Sequence, residues 1–173
     1  MNKLTAFLLA FTALALPAHV CAAEPSKNDA PHPQKAFVNP KDDPDLLNVL
    51  IIGDSISIRY TTAVRKLLHG KADVFRPGAN CMYSGHRAQS MKAWVANRKW
   101  DVIHFNFGIW DTHYLHNGKL IMPNNLSNYK EADLKRRYSH QQYIKNLEKV
   151  LKVVKRTKAK LIWASTTPFI SYG

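Results

Sequence analysis

The residues of this chain that could do chemistry begin with a short polar motif. Residues 46–52 are almost entirely apolar, and Gly53, Asp54 and Ser55 follow them directly. An apolar run of this length is typical of a strand buried on both faces of a parallel sheet. Ligands bind outside the carboxyl ends of such strands, and a following helix N-terminus offers N–H groups to an oxyanion, so Ser55 could be a nucleophile. Asp54 and Ser55 could equally be simple helix N-caps.

This motif resembles the first motif of the SGNH (GDSL-type) hydrolase family, which is Gly-Asp-Ser after the first strand. The resemblance continues in residues 80–85, which follow the second predicted strand and look like the second motif of the family. In that motif a glycine N–H lines the oxyanion hole. Gly85 is the match, and Gly78 is the alternative.

The third motif of the family, Gly-x-Asn-Asp, is similar to residues 105–111, with Asp111 as the last residue. Trp110 stands at the asparagine position of that motif, and an indole N–H has a different reach from an amide. Asn106 shares a strand face with positions 108 and 110, so its side chain could supply the donor instead. The alternative is that Asn106 satisfies loop backbone.

The resemblance covers about residues 46–170 and includes Thr166-Thr167-Pro168, which is also common in the family. It implies an exported serine esterase that acts on small-molecule or carbohydrate esters, O-acetyl groups among them, through an acyl-serine intermediate. It implies no metal and no cofactor.

The resemblance also implies a role for each matching side chain. Ser55 would be the catalytic nucleophile, and Asp54 and Asp111 would support the site. The oxyanion hole would be formed by the N–H groups of Ser55 and Gly85 and by the side chain of Asn106.

The general base of the family comes from an Asp-x-x-His motif after a fifth strand, and no such motif follows the fourth predicted strand here. Asp29 and His32 show this spacing, but they lie in a proline-rich segment ahead of the first strand. A serine hydroxyl is a poor nucleophile without a base. The sequence therefore predicts a domain whose last strand and helix are missing. The alternative function is a truncated, non-catalytic remnant or a binding protein with the same fold.

Three other histidines lie in or near the segment that resembles the third motif. His113 and His116 follow Asp111 closely, and they could approach the site or bind a metal. A zinc site would need further ligands in a recognisable pattern, so histidines of a surface loop are the simpler interpretation. His104 lies on a predicted buried strand, where a hydrogen-bonded core histidine is expected.

Strands alternate with helices along the chain. Such alternation implies right-handed βαβ crossovers, and hence an α/β fold with a three-layer, doubly wound parallel sheet; the SGNH hydrolases have this flavodoxin-like fold. A capping box beginning at Ser139 predicts the start of the last helix. Asn117-Gly118 predicts a hairpin within residues 109–138, a long excursion that is either a lid or irregular packing. The predicted strands are 46–52, 72–75, 101–107 and 160–165, and the other predicted helices are 58–69 and 86–97.

The first 45 residues differ in composition from the rest. A lysine at position 3, an apolar run from Leu4 to Leu16 and small residues near position 22 predict a signal peptide at 1–22. The apolar run is short for crossing about 30 Å of hydrocarbon, so no stable membrane insertion is expected after cleavage. Residues 23–45 are rich in proline and predict a linker, which leaves 46–173 as the SGNH hydrolase-like domain. The expected location is periplasmic or extracellular.

The charge balance admits an anionic partner but does not require one. Lys and Arg total 25 against 12 Asp and Glu, a formal net charge of +13. A base-stacking surface would need aromatic residues among the basic ones, and the four tryptophans are scattered through core-like positions. Nucleic acid is therefore not expected as a partner.

The signal peptide gives a first testable prediction. Expressed from Met1 in a secreting bacterium, the chain should be recovered outside the cytoplasm without residues 1–22, as measured by intact mass and N-terminal sequencing. Leu9→Arg should block processing because it places a charge inside the apolar run. Asn28→Arg, which lies beyond the cleavage site, is the control and should be processed normally. Recovery of an exported chain that still begins at Met1 would contradict the prediction.

Overall fold

The computed structural model describes residues 33–85, 87–96 and 98–166. The predicted signal peptide and the start of the predicted linker lie outside these residues. In chain order the elements are α1 (Pro33–Ala36), β1 (Leu47–Ile52), α2 (Ser55–Leu67), β2 (Ala72–Phe75), α3 (Arg87–Ala96), β3 (Val102–Phe105), β4 (Tyr114–His116), β5 (Lys119–Ile121), β6 (Lys135–Arg136), α4 (His140–Val154) and β7 (Lys160–Trp163).

Four of the strands form a parallel sheet in the order β2-β1-β3-β7. β1 is central, because Val49 pairs with Val74 of β2 on one side and with Val102 of β3 on the other. The last four residues of β1 are buried, which explains the unbroken apolar run in the sequence. The predicted α/β class is confirmed. The third and fourth sheet strands are shorter than predicted, since they end at Phe105 and Trp163.

Helices cover both faces of this sheet, and alternate residues of β1 enter different cores. Val49 and Ile51 face α2, whereas Leu50 and Ile52 face α3 and α4. This division follows from the twofold side-chain period of a strand. Each apolar side chain buried in this way contributes about 1.5–3 kcal/mol. The helix residues that meet these strands include Tyr60, Val64 and Leu68 on one face and Met91, Val150 and Val154 on the other.

The two longest helices begin at side-chain caps. Asp54 caps α2, so this helix starts at Ser55, before the apolar spacing that predicted a start at residue 58. Ser139 caps α4 by accepting a hydrogen bond from the Gln142 N–H at 3.2 Å. The Gln142 side chain donates instead to Asn146 Oδ1 at 2.9 Å, so the predicted capping box forms only in half.

The predicted hairpin is present as β4 and β5. Asn117 and Gly118 at its tip have φ angles of 48° and 77°, the positive values that a type I′ turn requires. β6 pairs with the other side of β4, which makes a three-stranded antiparallel sheet in the order β5-β4-β6. The segment between β3 and α4 is therefore folded around its own small sheet.

Residues 33–45, the second half of the predicted linker, pack against the domain. From α2, the Arg65 guanidinium donates to the main-chain oxygens of Lys35 at 3.1 Å and Val38 at 2.9 Å. It also donates to the Asn39 side chain at 3.0 Å and to the main-chain oxygen of Val74 in β2 at 2.8 Å. The hydrogen bonds from Arg65 hold in place a segment whose prolines predicted a linker.

The strand β7 forms one edge of the sheet. Within the described residues no strand pairs with its outer side, and Ile162 and Trp163 are 44% and 42% exposed. The outer side of β7 is therefore an open edge in the described part of the chain. None of the described helices is sufficiently long and apolar to cross a membrane.

Arg65→Met tests how the N-terminal segment is held. The substitution keeps the apolar stem and removes four hydrogen bonds, so the free energy of unfolding should fall by about 1–3 kcal/mol. Trypsin should also cut at Lys35 more readily than in the unsubstituted protein. Urea unfolding and timed proteolysis would measure the two effects. Lys66→Met, on the exposed neighbouring position, is the matched control; identical behaviour of the two variants would refute this account.

Candidate active site

Asp54 closes the turn between β1 and α2. Its Oδ1 accepts a hydrogen bond from the Ile56 N–H at 2.9 Å, and its main-chain oxygen accepts one from the Ser57 hydroxyl at 2.7 Å. A Cβ on Gly53 would lie 2.9 Å from the Ser57 Cβ, so this close approach requires glycine. Asp54 is therefore the N-cap, as one of the two sequence interpretations proposed, and Ser55 is the first residue of the helix.

Ser55 is exposed at the N-terminus of α2. Its hydroxyl has no hydrogen-bond partner within the described part of the chain. The N–H groups of a first helical turn have no intrahelical acceptor, and the helix dipole is positive at this end. A solvent-facing hydroxyl beside such N–H groups can bond to a carbonyl carbon and have the resulting oxyanion stabilised.

A buried arginine lies beneath this turn. Arg76, only 2% exposed, donates to Thr61 Oγ1 at 3.1 Å and to Ser57 Oγ at 3.4 Å, and its guanidinium lies 5.0 Å from the Phe37 ring centre. Burial raises the pKa of Asp54, and the charge of Arg76 opposes that shift. The Oδ2 atom of Asp54 is buried without a partner among the described residues. The turn thus carries a desolvated carboxyl group beside a desolvated cation.

The segment that resembles the second motif reaches the same end of β1. The Cys81 N–H donates to the Gly53 main-chain oxygen at 3.2 Å. Three residues later, the Ser84 N–H donates to Asp111 Oδ1 at 3.0 Å, and the Ser84 hydroxyl makes a short hydrogen bond to the same oxygen. Asp111 therefore connects the second and third segments. Burial raises the pKa of Asp111, whereas the bonds from Ser84 oppose the shift.

Gly85 lies against side chains from α4 and its approach. A Cβ at this position would lie 2.1 Å from the Tyr138 hydroxyl and 3.0 Å from Asn146 Nδ2. A Cβ at Gly78 would meet nothing within 4 Å. Of these two glycines, only Gly85 is therefore crowded by neighbouring side chains.

The side chain of Asn106 is committed elsewhere. Its Nδ2 donates to the main-chain oxygen of Ala164 at 2.7 Å and to that of Ser165 at 3.2 Å, and so anchors the chain that leaves β7. With both hydrogens directed at backbone carbonyls, the Asn106 amide is not available to an oxyanion in this structure. Its place in the predicted oxyanion hole is therefore not supported, and the alternative, an asparagine that satisfies loop backbone, describes what is seen.

The third segment also positions a histidine. Trp110 and His113 stack with ring centres 5.0 Å apart and planes 20° apart, in the turn that follows β3. His113 is only 9% exposed, so the simpler sequence interpretation of a surface-loop histidine is incorrect. The sequence signal for His113 was its position two residues after Asp111, but the sequence did not show in which direction the ring points.

Comparison of the chain with protein-family models gives no match, and a search of curated proteins gives none either. The described residues contain no group of three or more His, Cys, Asp or Glu side chains arranged to hold a metal ion. What the site can do is therefore argued from its own geometry.

Two substitutions of Asp111 test how much its acceptor oxygens contribute to the stability of the protein. Asp111→Ala leaves the buried N–H and hydroxyl of Ser84 without acceptors, which should cost about 2–6 kcal/mol of stability, at about 1–3 kcal/mol per unsatisfied group. Asp111→Asn retains one acceptor oxygen and should be the milder change. Urea unfolding of both variants would measure the difference. Equal losses would contradict a role for the Ser84 bonds.

Comparison of the unsubstituted protein with Asp111→Asn gives a prediction about pH. The folded-state pKa of Asp111 is raised above 3.8, so the folded state holds this proton more tightly than the unfolded state. The stability that the neutral carboxyl contributes is complete below 3.8 and is lost as the pH rises through the folded pKa. Relative to Asp111→Asn, the unsubstituted protein should therefore lose stability across this range. A difference that increases with pH would reverse the sign and refute the assignment.

Proposed function

We propose that this chain belongs to an exported serine esterase of the SGNH type. The observation that carries the proposal is the exposed Ser55 hydroxyl at the N-terminus of α2, just after the central strand, which has no hydrogen-bond partner among the described residues. Ser55 would form the acyl-enzyme by attack on an ester carbonyl. The N–H groups of Ser55 and Gly85 would hold the oxyanion, and Asp54 and Asp111 would keep the two segments in place.

The sheet topology supports this location. Numbered by their order in the chain, the four parallel strands have the spatial order 2-1-3-4, as in flavodoxin-like doubly wound folds. In such sheets the connections from the first and third strands lead to opposite sides, and ligands bind in the crevice between them. Ser55 follows the first strand, and Asp111 follows the third. The helices on both faces agree with the three-layer arrangement of that fold.

The inserted segment supplies a candidate substrate surface. A cleft of about 470 Å³ there is lined by Tyr114, Tyr129, Asn124 and Glu131, among others. Its volume is within the range of small-molecule sites. Tyrosines combine an apolar ring face with a hydroxyl, and the neighbouring amide and carboxylate add hydrogen-bonding groups. This mixture suits a carbohydrate ester, such as an O-acetylated sugar, better than a purely apolar lipid.

Ser55→Ala tests the esterase. Hydrolysis of p-nitrophenyl acetate and release of acetate from an acetylated oligosaccharide should fall by about 10⁴-fold, because no other group would form the acyl-enzyme. Ser26→Ala, at a serine of the predicted linker, is the matched control and should leave turnover unchanged. A fluorophosphonate should add its mass to Ser55 and to no other residue.

The alternative, a non-catalytic protein of the same fold, makes the opposite prediction. The unsubstituted protein and Ser55→Ala would then hydrolyse both substrates at the same background rate. Equal binding of the acetylated oligosaccharide by the two proteins, measured by calorimetry, would then support a binding protein in place of an esterase.

A further inference from the structure

His113 is held in one orientation by three separate contacts. Its Nδ1 lies 2.8 Å from the main-chain oxygen of Ile109, and its ring stacks on Trp110. Its own main-chain oxygen accepts a hydrogen bond from the Arg137 N–H at 2.8 Å. This buried imidazole is held at its ring face, at its Nδ1 atom and through its main chain. It is therefore pre-organised, because little conformational freedom remains for it to lose during a reaction.

The contact with Ile109 decides which ring nitrogen carries the proton. A carbonyl oxygen only accepts hydrogen bonds, so Nδ1 must be the donor. In the neutral ring the lone pair is then on Nε2, which has no hydrogen-bond partner among the described residues. This is the tautomer that a histidine needs to take a proton from a serine hydroxyl, with the carbonyl in the orienting place that a carboxylate occupies in a Ser-His-Asp triad.

The position of His113 connects it to the nucleophile turn. It follows β3, and the N–H of Asn106, the first residue after that strand, donates to the Ile52 main-chain oxygen at the end of β1 at 3.0 Å. A positive charge on His113 lowers the pKa of Asp54, and this effect is larger than that of the Arg76 guanidinium. Asp54 immediately precedes Ser55, so the two groups interact at the turn that carries the nucleophile.

We infer that His113 is the general base of the Ser55 site, an inference that rests on the proposed function. As Ser55 Oγ forms a bond to the ester carbonyl carbon, its proton moves to His113 Nε2. That proton passes to the leaving alcohol when the ester C–O bond breaks. In the second half, water gives a proton to Nε2 as its oxygen bonds to the acyl carbon, and Ser55 Oγ leaves with that proton.

His113→Asn is the informative variant. The asparagine amide can still donate to the Ile109 carbonyl, so the turn is retained while the basic nitrogen is removed. The value of kcat/KM should fall by about 10²–10⁴-fold. The loss should be larger for an alkyl acetate than for p-nitrophenyl acetate, because an alkoxide needs the returned proton more. Added imidazole should restore part of the activity of His113→Ala, which a purely structural role would not allow.

His69→Asn is the matched control, since His69 is exposed just beyond the end of α2 that lies away from Ser55. It should retain the kcat/KM of the unsubstituted protein. If His113→Asn is also fully active while Ser55→Ala is inactive, the base lies elsewhere, and the inference fails although the esterase stands. If the unsubstituted protein and Ser55→Ala are equally inactive, the proposed function itself fails.

A measurement on the unsubstituted protein does not depend on how the variants fold. The nitrogen-15 chemical shifts of the His113 ring should show a protonated Nδ1 and an unprotonated Nε2 in the neutral form. A proton on Nε2 in the neutral ring would overturn the inference directly, because that nitrogen could not then accept the serine proton.

Discussion

The geometry of the candidate site depends on one buried carboxyl group at the end of the central strand. Asp54 caps α2 through Oδ1, and its main-chain oxygen accepts from the Ser57 hydroxyl, so the chain changes from strand to helix within two residues, Gly53 and Asp54. This change from strand to helix places Ser55 at the solvent-exposed carboxyl end of the central strand. The same carboxyl group is desolvated and has one oxygen without a partner among the described residues, which makes the turn sensitive to every nearby charge.

Much of the fold could be predicted because its signals are local. The apolar run in β1, the Asn117-Gly118 pair and the Ser139 cap each act within a few residues, and each produced the expected element. The packing of residues 33–45 was not predicted. It depends on a single side chain, Arg65, whose partners in this segment lie 26 to 30 residues away and could not be identified from spacing.

The site was less predictable than the fold, for the same physical reason. Ser55 and Gly85 could be placed from motif positions after strands. The amide of Asn106 meets the Ala164 carbonyl, 58 residues away, and that contact decides that it is not a free donor. The burial and tautomer of His113 depend on a stack with Trp110 and on one carbonyl in a 3₁₀ turn. The contact of Asn106 is set by tertiary structure and the orientation of His113 by a short irregular turn, and a hydrophobic period predicts neither.

The open side of β7 affects how the molecule interacts with other polypeptides. An edge strand presents a row of main-chain donors and acceptors that any extended polypeptide can complete, and β7 has two large apolar side chains exposed next to that row. Lys160 at the start of β7 is a charged residue of the kind that discourages such pairing, but it protects only that end of the strand. In a crowded solution this surface would favour intermolecular β-sheet, so the solubility of the described domain depends on how well that edge is covered.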